Sequence, residues 1–275
     1  MPKIRITSIT PFLFLIGLPF CAPVISYSQN DQLIENGAVF NSGTLTNSTP
    51  KRVDINVYED TNISWSELIV ESSETEEVLE KGYVVIADSE IYVSVRIMSS
   101  TANNTGYVQA GALVSKGISA LGTRFRAGML QNQSGSGHMG FISVMATKNN
   151  TIVNFELPES TSTTKGKGNH SITLEKFQSY IIAEDDNTNS LIGSLIASDK
   201  DIVVNIGAYG SFYSGSGGQD YGIDQIVPSD LVGSEYIFIK GIADDGIETV
   251  LIIADQNDTN INVNGQDLKD SNGDP

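Results

Sequence analysis

The chain has a single cysteine, and it lies close to the N-terminus. Cys21 is the one cysteine in a sequence of 275 residues. A mature chain without the first 28 residues would form no disulfide and would carry no thiolate nucleophile or thiolate metal ligand. Histidine is almost as scarce, with only His138 and His170. These shortages exclude a cysteine zinc site and leave a histidine-based catalytic triad without its parts, so we predict no catalytic residues.

Basic residues are also few. The 16 lysines and arginines stand against 33 acidic residues, which gives a net charge of −17. This balance argues against nucleic acid as a partner, because nucleic acid selects basic patches. Bound Ca²⁺ is compatible with the acidity, but the loop that begins at Asp255 has Asn260 and Gln266 where a calcium loop needs glycine and a closing carboxylate. We predict no metal site and no cofactor, with Ca²⁺ as the alternative.

Residues 1–28 have the pattern of a secretory signal peptide. Two basic residues precede a short apolar run at residues 9–20, and small serines precede Gln29. The run is interrupted by prolines and is shorter than the ~20 residues that span a bilayer. We expect cleavage after Ser28, no membrane insertion of the mature chain, and a secreted or cell-surface location.

Strand signals dominate the rest of the chain. Continuous apolar runs at residues 141–146, 202–206 and 250–254 predict strands that are buried on both faces. Residues 53–58 and 259–263 alternate apolar and polar side chains, as half-buried strands do. Clusters of Gly, Asn, Ser and Asp separate these segments and supply turns. The pattern predicts an all-β fold that is sandwich-like or barrel-like.

Several segments recur about 110 residues later in the same order. Gly122 and Gly233 open matching segments and are 111 residues apart, and Ala146 and Ala254 close another matching pair 108 residues apart. Similar spacing of several elements predicts that an ancestral unit was duplicated. The matching segments are 122–125 with 233–236, 142–146 with 251–254, 149–153 with 257–261, and 82–85 with 193–196.

The repeat predicts two related, continuous β-rich units. Pro158 and the polar stretch that follows it interrupt the strand pattern, so we place the first unit at residues 29–157 and the second at 158–275. The sequence ends in a polar loop, and we expect the second unit to be incomplete at its C-terminal end.

The most unusual local pattern lies at residues 217–228, where two carboxylates occur among glycines and an aromatic residue. Tyr213 and Tyr221 could stack on a sugar while Asp220 and Gln225 form hydrogen bonds to it. Asp220 and Asp224 could instead act as the acid and base of a glycosidase. In a third interpretation the aspartates bind their own backbone in a long connection. The first interpretation makes Tyr213, Asp220, Tyr221, Asp224 and Gln225 candidate ligand-binding residues.

Residues 114–128, 220–228, 233–236 and 248–254, together with Asn264-Gly265, resemble the IgGFc-binding protein N-terminal domain family. The similarity is to bacterial surface-protein versions, which often carry a gliding-motility-associated C-terminal sorting region. The resemblance implies a secreted, noncatalytic adhesion or recognition module, and no binding residue is carried over from the family. Arg124 is a further candidate ligand-binding residue. Immunoglobulin binding is not inferred, because the family name comes from animal mucus proteins.

We therefore expect a noncatalytic module that binds an extracellular protein or glycan. One alternative is an extracellular carbohydrate-active enzyme that uses Asp220 and Asp224, which requires the two carboxylates to face each other across a cleft about 5–10 Å wide. Another is a structural spacer of a surface protein, which predicts neither a pocket nor exposed aromatic residues.

Overall fold

The computed structural model of the chain describes a β-rich body in several stretches. The described residues are 5–9, 24–28, 72–87, 91, 93–99, 109–129, 139–159, 161–185, 191–211, 220–239, 241 and 250–269. The predicted strand at residues 53–58 lies outside these ranges.

The predicted all-β class is confirmed. The described residues contain fifteen strands and three short 3-10 turns, and none of them lies in an α-helix. No helix among them is long and apolar enough to cross a bilayer. The strands are β1 (Arg5–Ile9), β2 (Val24–Ser28), β3 (Val78–Leu79), β4 (Gly82–Ala87), β5 (Ser94–Ser99), β6 (Gln109–Val114), β7 (Gly122–Arg126), β8 (Gly140–Ala146), β9 (Thr151–Glu156), β10 (His170–Leu174), β11 (Ser179–Ala183), β12 (Leu195–Ser211), β13 (Asp220–Ile226), β14 (Asn262–Val263) and β15 (Gln266–Asp267).

The long strand β12 organises the main sheet, which curls into a nearly closed, barrel-like form. Its first part pairs with β7 and β9, and its second part pairs with β8 and β13, always antiparallel. The register shifts between Ala197 and Ile202, where the Ser198 hydroxyl donates to the Lys200 carbonyl at 2.8 Å. A register shift of this kind bends the strand, so that one strand can pair with neighbours in two parts of a curved sheet.

The core follows the predicted hydrophobic pattern. All seven residues of β8 are buried, as the continuous apolar run predicts. Strand β9 alternates buried and exposed residues along its whole length. Phe125, Phe141 and Tyr180 are among the largest fully buried side chains, and burial of each large apolar side chain stabilises the fold by about 1.5–3 kcal/mol.

The prediction of a buried strand at residues 250–254 is wrong. These residues are assigned to no strand, and Val250, Leu251 and Ile252 are 44–54% exposed. The run has the composition of a strand, but no described strand lies beside it to complete a ladder. Hydrophobic pattern alone therefore did not determine its structure.

The duplication of whole units is not confirmed. Residues 122–125 lie in β7 of the main sheet, whereas their counterparts at 233–236 are exposed and form no strand. Strands from both sides of the predicted boundary, β9 and β10 for example, pair in one sheet. The division at residues 157 and 158 stays a prediction.

Two strands lie within the predicted signal peptide. Strand β1 pairs antiparallel with β4, and β2 pairs parallel with the same strand. Cleavage after Ser28, which stays a prediction, would remove both of these partners of β4.

Candidate functional site

A groove of about 320 Å³ opens beside β12 and β13. Its walls are mainly apolar, its floor contains glycines, and two charged side chains reach it from opposite sides. A cleft with this composition is typical of a binding site. The lining residues are Arg126, Gly128, Met129, Ile206, Gly207, Gly222, Ile223, Asp224, Ile226, Leu251 and Ile253.

One wall of the groove packs closely on Gly128. A Cβ atom at this position would lie 1.9 Å from Cδ1 of Ile253, so no larger residue fits unless Ile253 moves. Leu251 and Ile253 reach the groove from a segment that follows β13 in the sequence by more than twenty residues. The glycine therefore allows a distant segment of the chain to form part of the site.

An ion pair at the β13 side of the groove joins Lys116 and Asp224. The Lys116 Nζ donates to Asp224 Oδ1 at 2.7 Å, and the backbone N–H of Gln225 donates to the same oxygen at 2.8 Å. The Asp224 side chain is 56% exposed, so this pair adds little to stability but orients a carboxylate at the rim. Asp224 thus accepts a hydrogen bond from its own neighbouring backbone, which is the contact that the third interpretation of residues 217–228 describes.

Gln225 fixes the connection that follows β6. Its side chain is fully buried, and its Oε1 accepts hydrogen bonds from the Ser115 hydroxyl at 3.1 Å and from the backbone N–H of Lys116 at 2.6 Å. The residue therefore holds Lys116 against β13. Its role in the described structure is to position the ion pair, and its oxygen is not directed toward solvent.

A second ionic cluster lies on the other side of the groove. In β7 the side chain of Phe125 points into the core, and Arg124 and Arg126 therefore share the opposite face. Both arginines reach Asp255, with nitrogen-to-oxygen distances of 3.2 Å and 3.3 Å. Arg126 also donates to the backbone oxygens of Asp255, at 3.2 Å, and Gly193, at 3.0 Å. This cluster anchors the segment that contains Leu251 and Ile253.

The two arginines change the acidity of Asp255. Burial by itself would raise the pKa of the Asp255 carboxyl, but the hydrogen bonds and positive charges of Arg124 and Arg126 outweigh burial and hold the pKa below its ordinary value of 3.8. A lowered pKa in the folded state means that the ionised carboxylate stabilises the docked segment above about pH 4. That contribution is lost as the pH falls through the folded-state pKa.

We expect the Asp255→Asn variant to unfold at a lower temperature than the wild type at pH 6 and low salt, because the two guanidinium groups lose their anionic partner. The difference should shrink below pH 4, when the wild-type carboxylate becomes protonated, and also in about 1 M salt. Thermal unfolding from pH 3 to 7 measures both effects. Asp230→Asn, which removes the same charge from an exposed position, is the control. An unchanged difference between wild type and Asp255→Asn at pH 3 would contradict the assignment.

The structure brings some of the predicted site residues together and separates others. Asp224 and Gln225 lie at one side of the groove, and Arg124 lies in the ionic cluster at the other side. Asp220 and Tyr221 are described only as backbone in β13, and Tyr213 lies outside the described residues. The distance between the two proposed acids, Asp220 and Asp224, therefore stays untested.

Sequence reasoning missed three charged residues of the site: Lys116, Arg126 and Asp255. The alternation of Arg124, Phe125 and Arg126 was the one local signal, because it places two cations on one face of a strand. Asp255 was considered only as the start of a calcium loop. Its two arginine partners occupy its carboxylate instead, and the described residues hold no group of three or more His, Cys, Asp or Glu side chains that could bind a metal ion.

His170 lies apart from the groove, in a cluster of aromatic side chains. Its ring stacks on Phe155 with centroids 5.1 Å apart. A carbonyl oxygen only accepts, so His170 Nδ1 donates to Gly168 at 2.6 Å, and in the neutral ring Nε2 accepts from the Tyr180 hydroxyl at 2.9 Å. Burial, together with nearby negative charge, raises the pKa of the Tyr180 hydroxyl. Both side-chain nitrogens have partners within the fold, so the arrangement is structural.

An all-β body that carries an apolar groove with ion pairs at its rim points to the class of binding modules. The family described as IgGFc binding protein matches residues 110–274, which is more than half of the chain and includes every lining residue of the groove. The chain therefore belongs to the IgGFc-binding family, and the predicted resemblance is confirmed. No curated protein and no solved structure matches the chain.

Proposed function

We propose that the chain is a secreted or cell-surface recognition module that binds an extracellular protein through the groove. The observation that carries this proposal is an apolar cleft between a Lys116–Asp224 ion pair and the Arg124–Arg126–Asp255 cluster. Apolar walls supply affinity, and charges held at the rim supply orientation and specificity. The signal-peptide pattern at residues 1–28 supports the location.

Two observations favour binding over the alternative functions. Asp224 is engaged by Lys116 and by the Gln225 backbone, whereas a glycosidase acid must face a second carboxylate across the substrate. A spacer predicted no pocket and no exposed aromatic residues. The described part of the chain has the groove, and Tyr236 and Phe238 are 69% and 66% exposed.

The character of the groove favours a protein ligand over a glycan. Among the described residues the lining consists of apolar side chains, glycines and the charged Arg126 and Asp224, with no aromatic ring, whereas sugar sites commonly stack a pyranose ring on an aromatic face. Membership in a family of protein-binding domains points in the same direction. A glycan ligand that stacks on Tyr213 or Tyr221 is the competing proposal.

The test is a binding screen of the chain that begins at Gln29 against immobilised extracellular proteins, with the immunoglobulin Fc fragment among them, and against a glycan array. We expect saturable binding to at least one protein. The Asp224→Lys variant should weaken that binding at least tenfold, because it reverses the charge at the rim and removes the partner of Lys116; tenfold corresponds to about 1.4 kcal/mol.

Asp230→Lys is the matched control, since it makes the same charge change at an exposed residue outside the groove lining, and it should change affinity less than twofold. Equal losses in the two variants would mean that net charge, and not the groove, governs binding. Binding only to glycans would overturn the choice of a protein ligand.

A further inference from the structure

A turn that contains one residue with a positive φ occurs twice in the chain with the same local structure. Asn150, in the turn between β8 and β9, has a φ of 53°, and Asp258 has a φ of 57°. The hydroxyl of the next residue donates to the carbonyl oxygen three residues before it in both turns, from Thr151 at 2.7 Å and from Thr259 at 2.8 Å. Each residue of the second turn follows its counterpart by 108 positions. The repeat found in the sequence therefore holds at this turn.

Antiparallel strands lie on both sides of each strand that flanks the first turn. Strand β8 pairs with β11 and with β12. Strand β9 pairs with β10 and with β12. Strand β8 is entirely buried.

The segment before the second turn has no such cover in the described part of the chain. This segment, residues 250–254, forms no strand and is at least as apolar as β8, yet Val250 is 54% exposed and Ile252 is 48% exposed. Leu251 and Ile253 line the groove, so the segment is held on one side only. An exposed apolar segment of this kind can accept an added strand through its backbone groups.

We propose that residues 250–254 accept an antiparallel β-strand from a protein partner. This inference rests on the proposed function, because the accepting segment also forms one wall of the groove. Strand β8, whose residues 142–146 match residues 251–254 in the sequence, shows which cover suits this segment: an antiparallel strand with β-branched or aromatic side chains, such as β11. Backbone hydrogen bonds supply the pairing, and alternate side chains contact Val250 and Ile252.

Charge favours a basic strand. The chain carries a net charge of −17, the two arginines beside the accepting segment are paired with Asp255, and the exposed Asp258 lies in the turn next to it. A strand with flanking lysines is attracted to this surface, whereas a second copy of the same chain brings an equal negative charge. The partner strand is therefore apolar on alternate positions and positively charged at its ends.

The experiment uses the full chain and a labelled peptide with the β11 sequence, Ser179–Ala183, flanked by two lysines at each end. We expect saturable binding in fluorescence anisotropy. Proline at the second and fourth positions of the β11 sequence should abolish it, because those positions lose their backbone N–H. Glutamates in place of the flanking lysines should weaken it at least threefold.

Ile252→Lys should reduce affinity for the lysine-flanked peptide at least tenfold, and Val250→Lys should act in the same direction. Ile118→Lys is the matched control, since Ile118 is 58% exposed and lies in a different part of the fold, and it should change affinity less than twofold. Equal binding of the proline peptide, or equal effects of the Ile252 and Ile118 variants, would overturn the proposal. A dimer of the chain that Ile252→Lys dissociates would assign the segment to self-pairing and would also overturn it.

The two proposals can fail separately. If a protein ligand binds and Asp224→Lys weakens it while the peptide does not bind, only the strand inference fails. If the peptide binds but the binding of no screened protein depends on Asp224, the groove assignment fails and the strand inference stands.

Discussion

Replacing Gly207 with alanine is expected to destabilise the protein by about 3 kcal/mol, at the upper end of the range for overpacked cores. Gly207 lies in β12, where an added Cβ atom would be 2.3 Å from Phe141 Cζ and 2.6 Å from the carbonyl oxygen of Gly222. The phenylalanine ring is buried and the carbonyl belongs to the neighbouring strand β13, so neither can move away cheaply. Chemical denaturation measures the change.

Two further variants separate the clash from a general effect of removing glycine. Gly233→Ala should change stability by less than about 0.5 kcal/mol, because an added Cβ atom there meets its nearest neighbour at an ordinary distance of 3.6 Å. Phe141→Leu removes ring atoms from the clash, so the cost of Gly207→Ala should fall by at least about 1 kcal/mol in that background. Additive effects of the two changes would contradict this account of the site.

Gly207 also lines the groove, together with Gly222 of the neighbouring strand β13. The lack of a side chain at Gly207 admits the Phe141 ring against β12, and the same glycine contributes to the groove lining.

Sequence pattern predicted the buried strands of the body well. The apolar runs at residues 141–146 and 202–206 predict strands that are buried on both faces, and the structure agrees with both. The same reasoning was wrong for residues 250–254, although their composition is similar. Periodicity reports what a segment is able to bury, but burial also requires a neighbouring strand, and sequence pattern does not show whether one is present.

The ionic parts of the site could not be predicted for a different reason. Arg124 and Asp255 are 131 residues apart in sequence, and Lys116 and Asp224 are 108 residues apart. Local pattern carries no information about which charges meet over such separations, because the curvature of the sheet determines the pairing. The candidate residues chosen from the Gly-rich stretch therefore included Asp224 but missed its partner Lys116.

For the repeated turn, the sequence predicts one part of the structure and not the rest. Asn and Asp tolerate the left-handed conformation that both turns require, so the shared geometry at Asn150 and Asp258 follows from residue type. The segments that flank the two turns depend on their surroundings, and their structures differ. The residue types therefore give both turns the same geometry, whereas different surroundings give the flanking segments different structures.

Replacing Glu184 with alanine is expected to destabilise the protein by about 3–5 kcal/mol. The Glu184 side chain is fully buried, its Oε2 accepts the backbone N–H of Gly140 at 2.9 Å, and its Oε1 accepts the backbone N–H of Leu191 at 3.0 Å. This carboxylate joins the start of β8 to the turn that precedes β12. Alanine would leave two buried donors without an acceptor and would also leave a cavity.

Glu184→Gln distinguishes the loss of hydrogen bonds from the loss of volume. The amide keeps the size of the side chain but offers one acceptor oxygen where the carboxylate offers two, and its NH₂ group would face an N–H donor. We therefore expect a loss of about 1–3 kcal/mol, clearly smaller than for alanine. Glu175→Ala, which removes an exposed carboxylate, should cost less than about 0.5 kcal/mol in the same denaturation experiment. A Glu184→Ala variant as stable as Glu175→Ala would show that the N–H groups of Gly140 and Leu191 find other acceptors, and the strand connection would then not depend on this carboxylate.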